Sequence, residues 1–234
     1  YFVRASYRRD ASSRFHPDNR WGNFGSVGLA WLINKENFMS NVSWIDMLKF
    51  KASYGIQGND NLGNYYAYAD QYSVTNSNGD FAVSFSYKGN KDITWETSYA
   101  FNTGFDFELF GNRLNGTVEY FNRKTVDLLY NQPVPISMGY ATIPMNVGSI
   151  VNQGIEVDLN GVLYKNNNIE WLANINATHY KNKITDLAES AKRNGGIKYS
   201  NAIYRIGGSL YNSYMPVYAG VDPNAVSYTH LTLP

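Results

Sequence analysis

The sequence contains no cysteine, so it has neither a disulfide framework nor a thiolate metal site, a composition that fits an oxidising exterior compartment. It has no run of 18 apolar residues, and its mean hydropathy is −0.40. A transmembrane helix is thereby excluded, but a transmembrane β-barrel is not, because its apolar residues alternate with polar ones and average out. An excess of one charge is also missing. The 20 basic and 19 acidic residues are evenly mixed, with a net charge of +1 and a pI near 8.0, which argues against a nucleic-acid partner. The three histidines, His16, His179 and His230, are scattered without acidic or histidine partners at ligand spacing. No Ser-His-Asp, Cys-His or phosphate-cradling glycine pattern occurs, so no catalysis, metal or cofactor is expected. An initiator Met and a signal peptide are absent, and strand-like alternation begins at Tyr1. The expectation is a fragment that starts in mid-domain.

What the sequence does have is alternation and aromatic residues: 16% of the chain, including 20 Tyr. In Tyr99 to Asn122, the residues Tyr99, Phe101, Thr103, Phe105, Phe107 and Leu109 fall on one face of an extended chain. Ala100, Asn102, Gly104, Asp106 and Glu108 fall on the other, because successive strand side chains point oppositely. After Gly111-Asn112-Arg113 the chain returns as Leu114, Gly116, Val118 and Tyr120 against Asn115, Thr117 and Glu119, which predicts a hairpin. Eleven residues at about 3.3 Å each give roughly 36 Å, the length of a tilted strand crossing a bilayer core. Strands are predicted at Tyr1 to Arg9, Trp21 to Ile33, Asp46 to Ile56, Trp95 to Phe110, Arg113 to Lys124, Gly154 to Leu163 and Ile169 to Lys181.

The wet faces carry full charges, which a sandwich core would exclude. The connections fall into two classes, short at one end of the strands and long at the other, as in bacterial outer-membrane barrels. Trp44, Trp95 and Trp171 lie at or just before strand ends, where aromatic rings favour the headgroup level. The fold class is therefore all-β, a transmembrane antiparallel β-barrel fragment whose greasy side chains face lipid. The alternative of a different class is a soluble β-sandwich carbohydrate-binding module, which predicts shorter strands and uncharged inward faces.

Several ordered motifs carry a family resemblance. They are Arg8-Arg9-Asp10-Ala11-Ser12-Ser13-Arg14-Phe15, Asn19-Arg20-Trp21-Gly22-Asn23-Phe24, Leu48-Lys49-Phe50-Lys51-Ala52-Ser53-Tyr54-Gly55 with Gly58-Asn59, and Trp95-Glu96-Thr97. Asn122-Arg123-Lys124-Thr125 with Asp127-Leu128-Leu129, Asn146-Val147-Gly148-Ser149-Ile150 with Asn152-Gln153-Gly154-Ile155-Glu156, and Tyr218-Ala219-Gly220-Val221-Asp222-Pro223 follow. Together they resemble the SusC/RagA family of TonB-dependent outer-membrane transporters. The resemblance implies a 22-stranded plugged barrel, of which residues 1–223 would be part of the barrel domain, with plug and energy-coupling segment upstream. It further implies import of an oligosaccharide or peptide substrate, a SusD-like surface lipoprotein as lid, and energy from the TonB-ExbB-ExbD complex of the inner membrane. Residues 224–234 depart from the family pattern. Ser227 to Pro234 reads as translated sequencing-adapter DNA, so a non-native tail is expected there, with a divergent loop as the alternative.

Candidate sites are few. Asp106, Glu108, Glu119, Glu156 and Asp158 share a wet face with Lys49, Lys51 and Arg4 and are read as a solvated charge lattice rather than an acid-base pair. Arg8, Arg9, Asp10 and Arg14 around Ser12-Ser13 are read as a strand-top loop tied by internal ion pairs. The loop aromatics Tyr65, Tyr66, Tyr68 and Tyr72 are the candidate substrate-binding residues, since flat rings stack on sugars. A headgroup girdle with loop packing remains the alternative reading of the same tyrosines. Pro133 to Tyr140 either contacts lid or substrate or stiffens a long loop.

Overall fold

A computed structural model describes residues 1–77, 79–221 and 228–232. Seven long strands, β1 (Phe2–Ala11), β2 (Trp21–Leu32), β3 (Ile45–Asn59), β4 (Glu96–Leu109), β5 (Leu114–Val126), β6 (Ser149–Lys165) and β7 (Glu170–Asp186), form one sheet. Each pairs antiparallel with its chain neighbours, an up-and-down meander. The register sets Phe50 opposite Phe105 and Lys49 opposite Asp106. Apolar residues thus gather on one face and charges on the other, as directly paired residues share a face. The tilted Phe50 and Phe105 rings lie 5.3 Å apart.

All seven predicted strands exist, and most are longer than the alternation indicated. β6 begins at Ser149 rather than Gly154, and β7 runs to Asp186 rather than Lys181. Within the added segments the neighbouring pairs Asn152-Gln153 and Asn182-Lys183 are polar on both faces and break the apolar rhythm, while the backbone pairing continues. Two expected loops hold hairpins of their own, Gln71–Ser77 with Asp80–Tyr87 and Leu129–Pro133 with Thr142–Asn146.

The ends of the sheet differ as expected. At one end β4 turns into β5 through Phe110, Gly111 and Asn112, all with φ near +60°, and β6 turns into β7 through 166–169. The β2–β3 connection is two 3-10 turns, Ile33–Lys35 and Asn37–Met39, pinned by Trp31 Nε1–H donating to Glu36 Oε1 at 2.8 Å. All longer connections lie at the other end.

The buried side chains Phe15, Phe24, Ala67, Ile93, Pro144 and Ile184 lie in or beside those long connections. Apolar residues in the sheet, including Val27, Phe101, Phe105 and Ile155, stay exposed. A sandwich would bury them under a second sheet, but among the described residues no other sheet packs on this one. The sandwich alternative is therefore incorrect. No described helix is long and apolar enough to cross a membrane. Of the suspected tail, residues 224–227 and 233–234 lie outside the described residues, and Tyr228–Thr232 pairs with Pro216–Val221.

Candidate functional site

The charged face of the sheet is a connected lattice. Lys49 Nζ lies 2.6 Å from Asp106, and Lys51 Nζ bridges Asp106 at 3.0 Å and Glu119 at 2.8 Å. Thr117 Oγ1–H donates to Asp106 at 2.9 Å. Asn160 and Asn176 donate to the two oxygens of Asp158, and Glu156 stands directly opposite Glu119. Basic residues and amides interleave these carboxylates, so they form a wet, charged wall. Among the described residues no group of three His, Cys, Asp or Glu is placed to hold a metal.

At the long-loop end, residues far apart in sequence converge on Trp95. Its ring packs edge-on against Phe15 at 5.5 Å and Phe24 at 5.1 Å, and its Nε1–H donates to Arg20 O at 3.0 Å. Trp95 is thus an internal rivet, whereas its position before a strand end suggested a headgroup anchor. Trp44, stacked 5.6 Å from Phe110, and Trp171 remain exposed. Gly22 and Gly58 are glycine because a Cβ at either would collide with the Phe24 ring. Asn146 acts as a second node, accepting from Thr94 N and donating to Thr94 O and Asp127 O. Glu96 accepts from Leu129 N–H and from Asn59. The quoted motifs therefore fasten loops to strand ends.

Of the ion pairs expected within the strand-top loop, the structure shows Arg8 with Asp10, while Ser12 and Arg14 tie the loop outward to Asp60 and Asn61 on the β3–β4 connection. Arg8 pairs with Asp10 at 3.0 Å, and Ser12 Oγ–H donates to Asp60 at 2.6 Å. Arg14 donates to Asp60 O and Asn61, while its guanidinium covers the Tyr65 ring at 4.8 Å. Tyr65 and Tyr66 are exposed, Tyr68 is half-buried with its ring edge-on to His16 at 5.9 Å, and Tyr72 meets Phe85 edge-on at 5.5 Å. The structure does not gather the four tyrosines into one platform. Tyr65 and Tyr66 stand on the loop with open ring surface, and Tyr72 belongs to the Gln71–Tyr87 hairpin.

That hairpin is rigidly based. Lys88 lies 2.9 Å from Asp70, whose other oxygen accepts from Gly89 N–H at 2.9 Å. The Lys88 bond, then the Gly89 amide, hold the Asp70 carboxyl below its ordinary range. Asn64 Oδ1 accepts from Tyr66 N–H and Gln71, and a Cβ on Gly89 would strike the Ala69 backbone. Above this base Tyr72, Val74, Phe81, Val83 and Phe85 project on one side. Of these five only Tyr72 stood out in the sequence; Val74, Phe81, Val83 and Phe85 did not. Asn78-Gly79 between two alternating runs is the signal that could have found them.

Residues 2–231 match the family model "TonB dependent receptor-like, beta-barrel". Among curated relatives, TonB-dependent receptor P39 of Formosa agariphila is 36% identical over 92% of this chain and 20% of its own length. TonB-dependent receptor SusC of Bacteroides thetaiotaomicron is 33% identical over 80% and 19%. The solved RagAB peptide importer in its "closed-closed" state superposes with a TM-score of 0.86 at 30% identity, over 99% of this chain and 27% of that one. Its "open-open" state gives 0.84. The chain spans about a fifth of the length of the curated relatives it matches. It belongs to the TonB-dependent receptor-like β-barrel family, on the SusC/RagA side of it.

Proposed function

We propose that this chain is a wall segment of an active importer in the outer membrane of a Gram-negative bacterium of the Bacteroidota type. The charged face lines the lumen and the apolar face meets lipid. A plug encoded upstream, pulled by the TonB-ExbB-ExbD complex, opens the path. The cargo is a glycan or peptide oligomer too large for a porin, and a SusD-like surface lipoprotein closes over the long-loop end. Tyr65, Tyr66, Tyr68 and Tyr72 meet the cargo, with Tyr65 and Tyr66 offering open ring surface and His16 bracing Tyr68.

The observation that carries this reading is the two-faced single sheet. Its ion-paired lattice opposes a ladder of exposed aromatic and branched side chains, as a lipid-facing barrel wall requires. The nature of the relatives supports transport rather than chemistry. The test is uptake of defined fluorescent oligosaccharides and peptides by cells carrying the complete gene, its deletion, or an inactive TonB. Uptake of one class should fall to background in both deficient strains. Uptake unchanged in the deletion strain would refute the reading.

A further inference from the structure

The outward, apolar face of the sheet carries a patch of positive charge near the upper ends of β5 and β7. The register places Lys124 of β5 opposite Val151 of β6, and Val151 opposite Lys183 of β7. Asn122, Gln153 and Lys181 form the row beneath. These rows continue the faces of Tyr99 and Phe101 on β4, so the three lysines lie opposite the wet lattice, and all three are exposed. From strand and residue spacing, Lys124 and Lys183 stand about 10 Å apart, with Lys181 about 7 Å below Lys183. On β1 to β4 the same two rows hold Tyr7, Gly25, Ile56 and Tyr99, then Ala5, Val27, Tyr54 and Phe101, with no charge.

These lysines differ from the other cations of the sheet. Lys49 and Lys51 on the wet face are paired with Asp106 and Glu119, and Arg9, high on β1, covers the Trp21 ring at 4.8 Å. Among the described residues Lys124, Lys181 and Lys183 have no carboxylate partner. Between the ends of β5, β6 and β7 the acids are Glu119, Glu156 and Asp158, all on the opposite face, and Asp186 above them is held by Lys192 at 2.9 Å. Ammonium groups this close repel one another, and an anion seated among them relieves the repulsion.

Height decides what kind of anion fits. The outward residues of β7 run from Trp171 through Ala173, Ile175 and Ala177 up to Lys181 and Lys183. At about 3.3 Å per residue and a tilt near 40°, Trp171 and Lys181 are separated by about 25 Å of height, that of the apolar band of a membrane barrel. With Trp171 at one interface, the lysines stand at the other, directly above a strip formed by Ile155, Val157 and Ile175. A ligand that fills both parts has an anionic group among the amines and an apolar tail on the strip, which describes a lipid rather than a free ion. Phosphate suits the amines, because it carries up to two negative charges and three acceptor oxygens that separate lysines share as point charges. The Asn122 and Gln153 amides, hydrogen-bonded at 3.2 Å, fill the floor between Lys124 and Lys181.

We infer that Lys124, Lys181 and Lys183 form a binding site for the phosphate group of an outer-leaflet lipid whose acyl chains lie along β6 and β7. The inference rests on the wall-segment reading above. The test incubates the complete transporter, in nonionic detergent, with dioleoyl phosphatidate as the phosphomonoester probe, with dioleoylglycerol, or with inorganic phosphate, and counts retained ligand by native mass spectrometry. Phosphatidate should be held at least about tenfold more tightly than dioleoylglycerol, and excess inorganic phosphate should not displace it. Lys124→Gln/Lys181→Gln/Lys183→Gln should abolish that preference, whereas Arg123→Gln, on the wet face at the same height, should change it by less than about twofold. If the triple variant fails to insert into phosphatidylcholine vesicles, Lys181→Gln alone carries the test, with an expected weakening of about fivefold. Equal retention of the two lipids, a preference that survives the lysine substitutions, an equal loss in Arg123→Gln, or displacement by inorganic phosphate overturns the lipid site and leaves the wall reading standing. A wild-type transporter that fails to float with phosphatidylcholine vesicles overturns both.

Discussion

Single residues at the long-loop end act as fasteners, and their substitution has sharp consequences. Gly58 and Gly22 leave room for the Phe24 ring beside Trp95. Gly58→Ala pushes a methyl group into that ring, and overpacking of this kind costs about 1–3 kcal/mol. Trp95→Ala removes the rivet itself and should cost about 3–5 kcal/mol. Both are measured as shifts in the urea midpoint of the intact barrel in lipid vesicles, and a Gly58→Ala midpoint equal to wild type would refute the packing account. Asp70 gives a pH prediction. Its carboxyl is lowered first by the Lys88 hydrogen bond and then by the Gly89 amide. A lowered group stabilises above its unfolded pKa, and that stabilisation is lost as pH falls through the folded pKa. The hairpin base should therefore keep its hydrogen-exchange protection at Gly89 from neutral pH down past the ordinary carboxylate value of 3.8 and lose it only below that. Asp70→Ala, which removes the accepting oxygen, should lose the protection at every pH.

At the scale of elements, the two faces of a strand predict opposite responses to the same substitution. Phe105 and Asn102 lie three residues apart on β4, on the apolar and the wet face respectively. Arginine at Phe105 places a charge in hydrocarbon and should cost about 2–4 kcal/mol if it lies near the bilayer midplane, falling towards zero at the interfaces. Arginine at Asn102 enters the wet lattice and should cost less than about 1 kcal/mol. Equal costs in vesicle refolding titrations would remove the lipid-facing assignment. These faces were legible in the sequence because the strand period of two separates Phe101, Phe105 and Phe107 from Asn102, Asp106 and Glu108 without ambiguity. The strand ends were not legible. Asn152, Gln153, Asn182 and Lys183 continue the backbone ladder while their side chains are polar on both faces, so no rhythm marks them. The role of Trp95 was hidden for another reason: its partners Phe15 and Phe24 come from another connection and strand, more than 70 residues away in sequence. The four tyrosines looked like one site because they are close in sequence, and the hairpin that starts at Gln71 separates Tyr72 from the rest.

At the scale of the whole molecule, the open edges decide what this chain can do alone. Among the described residues β1 has no partner on its outer side, and β7 is covered beyond β6 only near its top. There Ile184 N–H donates to Gly208 O and Gly207 N–H to Ile184 O, both at 2.8 Å. That cover sits at the long-loop end. Along the rest of both edges, backbone groups would face lipid unpaired, each costing several kcal/mol. Seven strands cannot remove these edges by joining β1 to β7, because antiparallel neighbours require an even number of strands in a closed barrel and β1 and β7 run in the same direction. The 234-residue chain refolded alone into lipid vesicles should give no protease-protected, heat-modifiable monomer. Supplying the remaining strands in the same polypeptide should restore one, because each edge then gains its antiparallel partner. A discrete, protected monomer of the isolated chain would mean that its edges are satisfied in some other way, and the wall-segment account would fail with it.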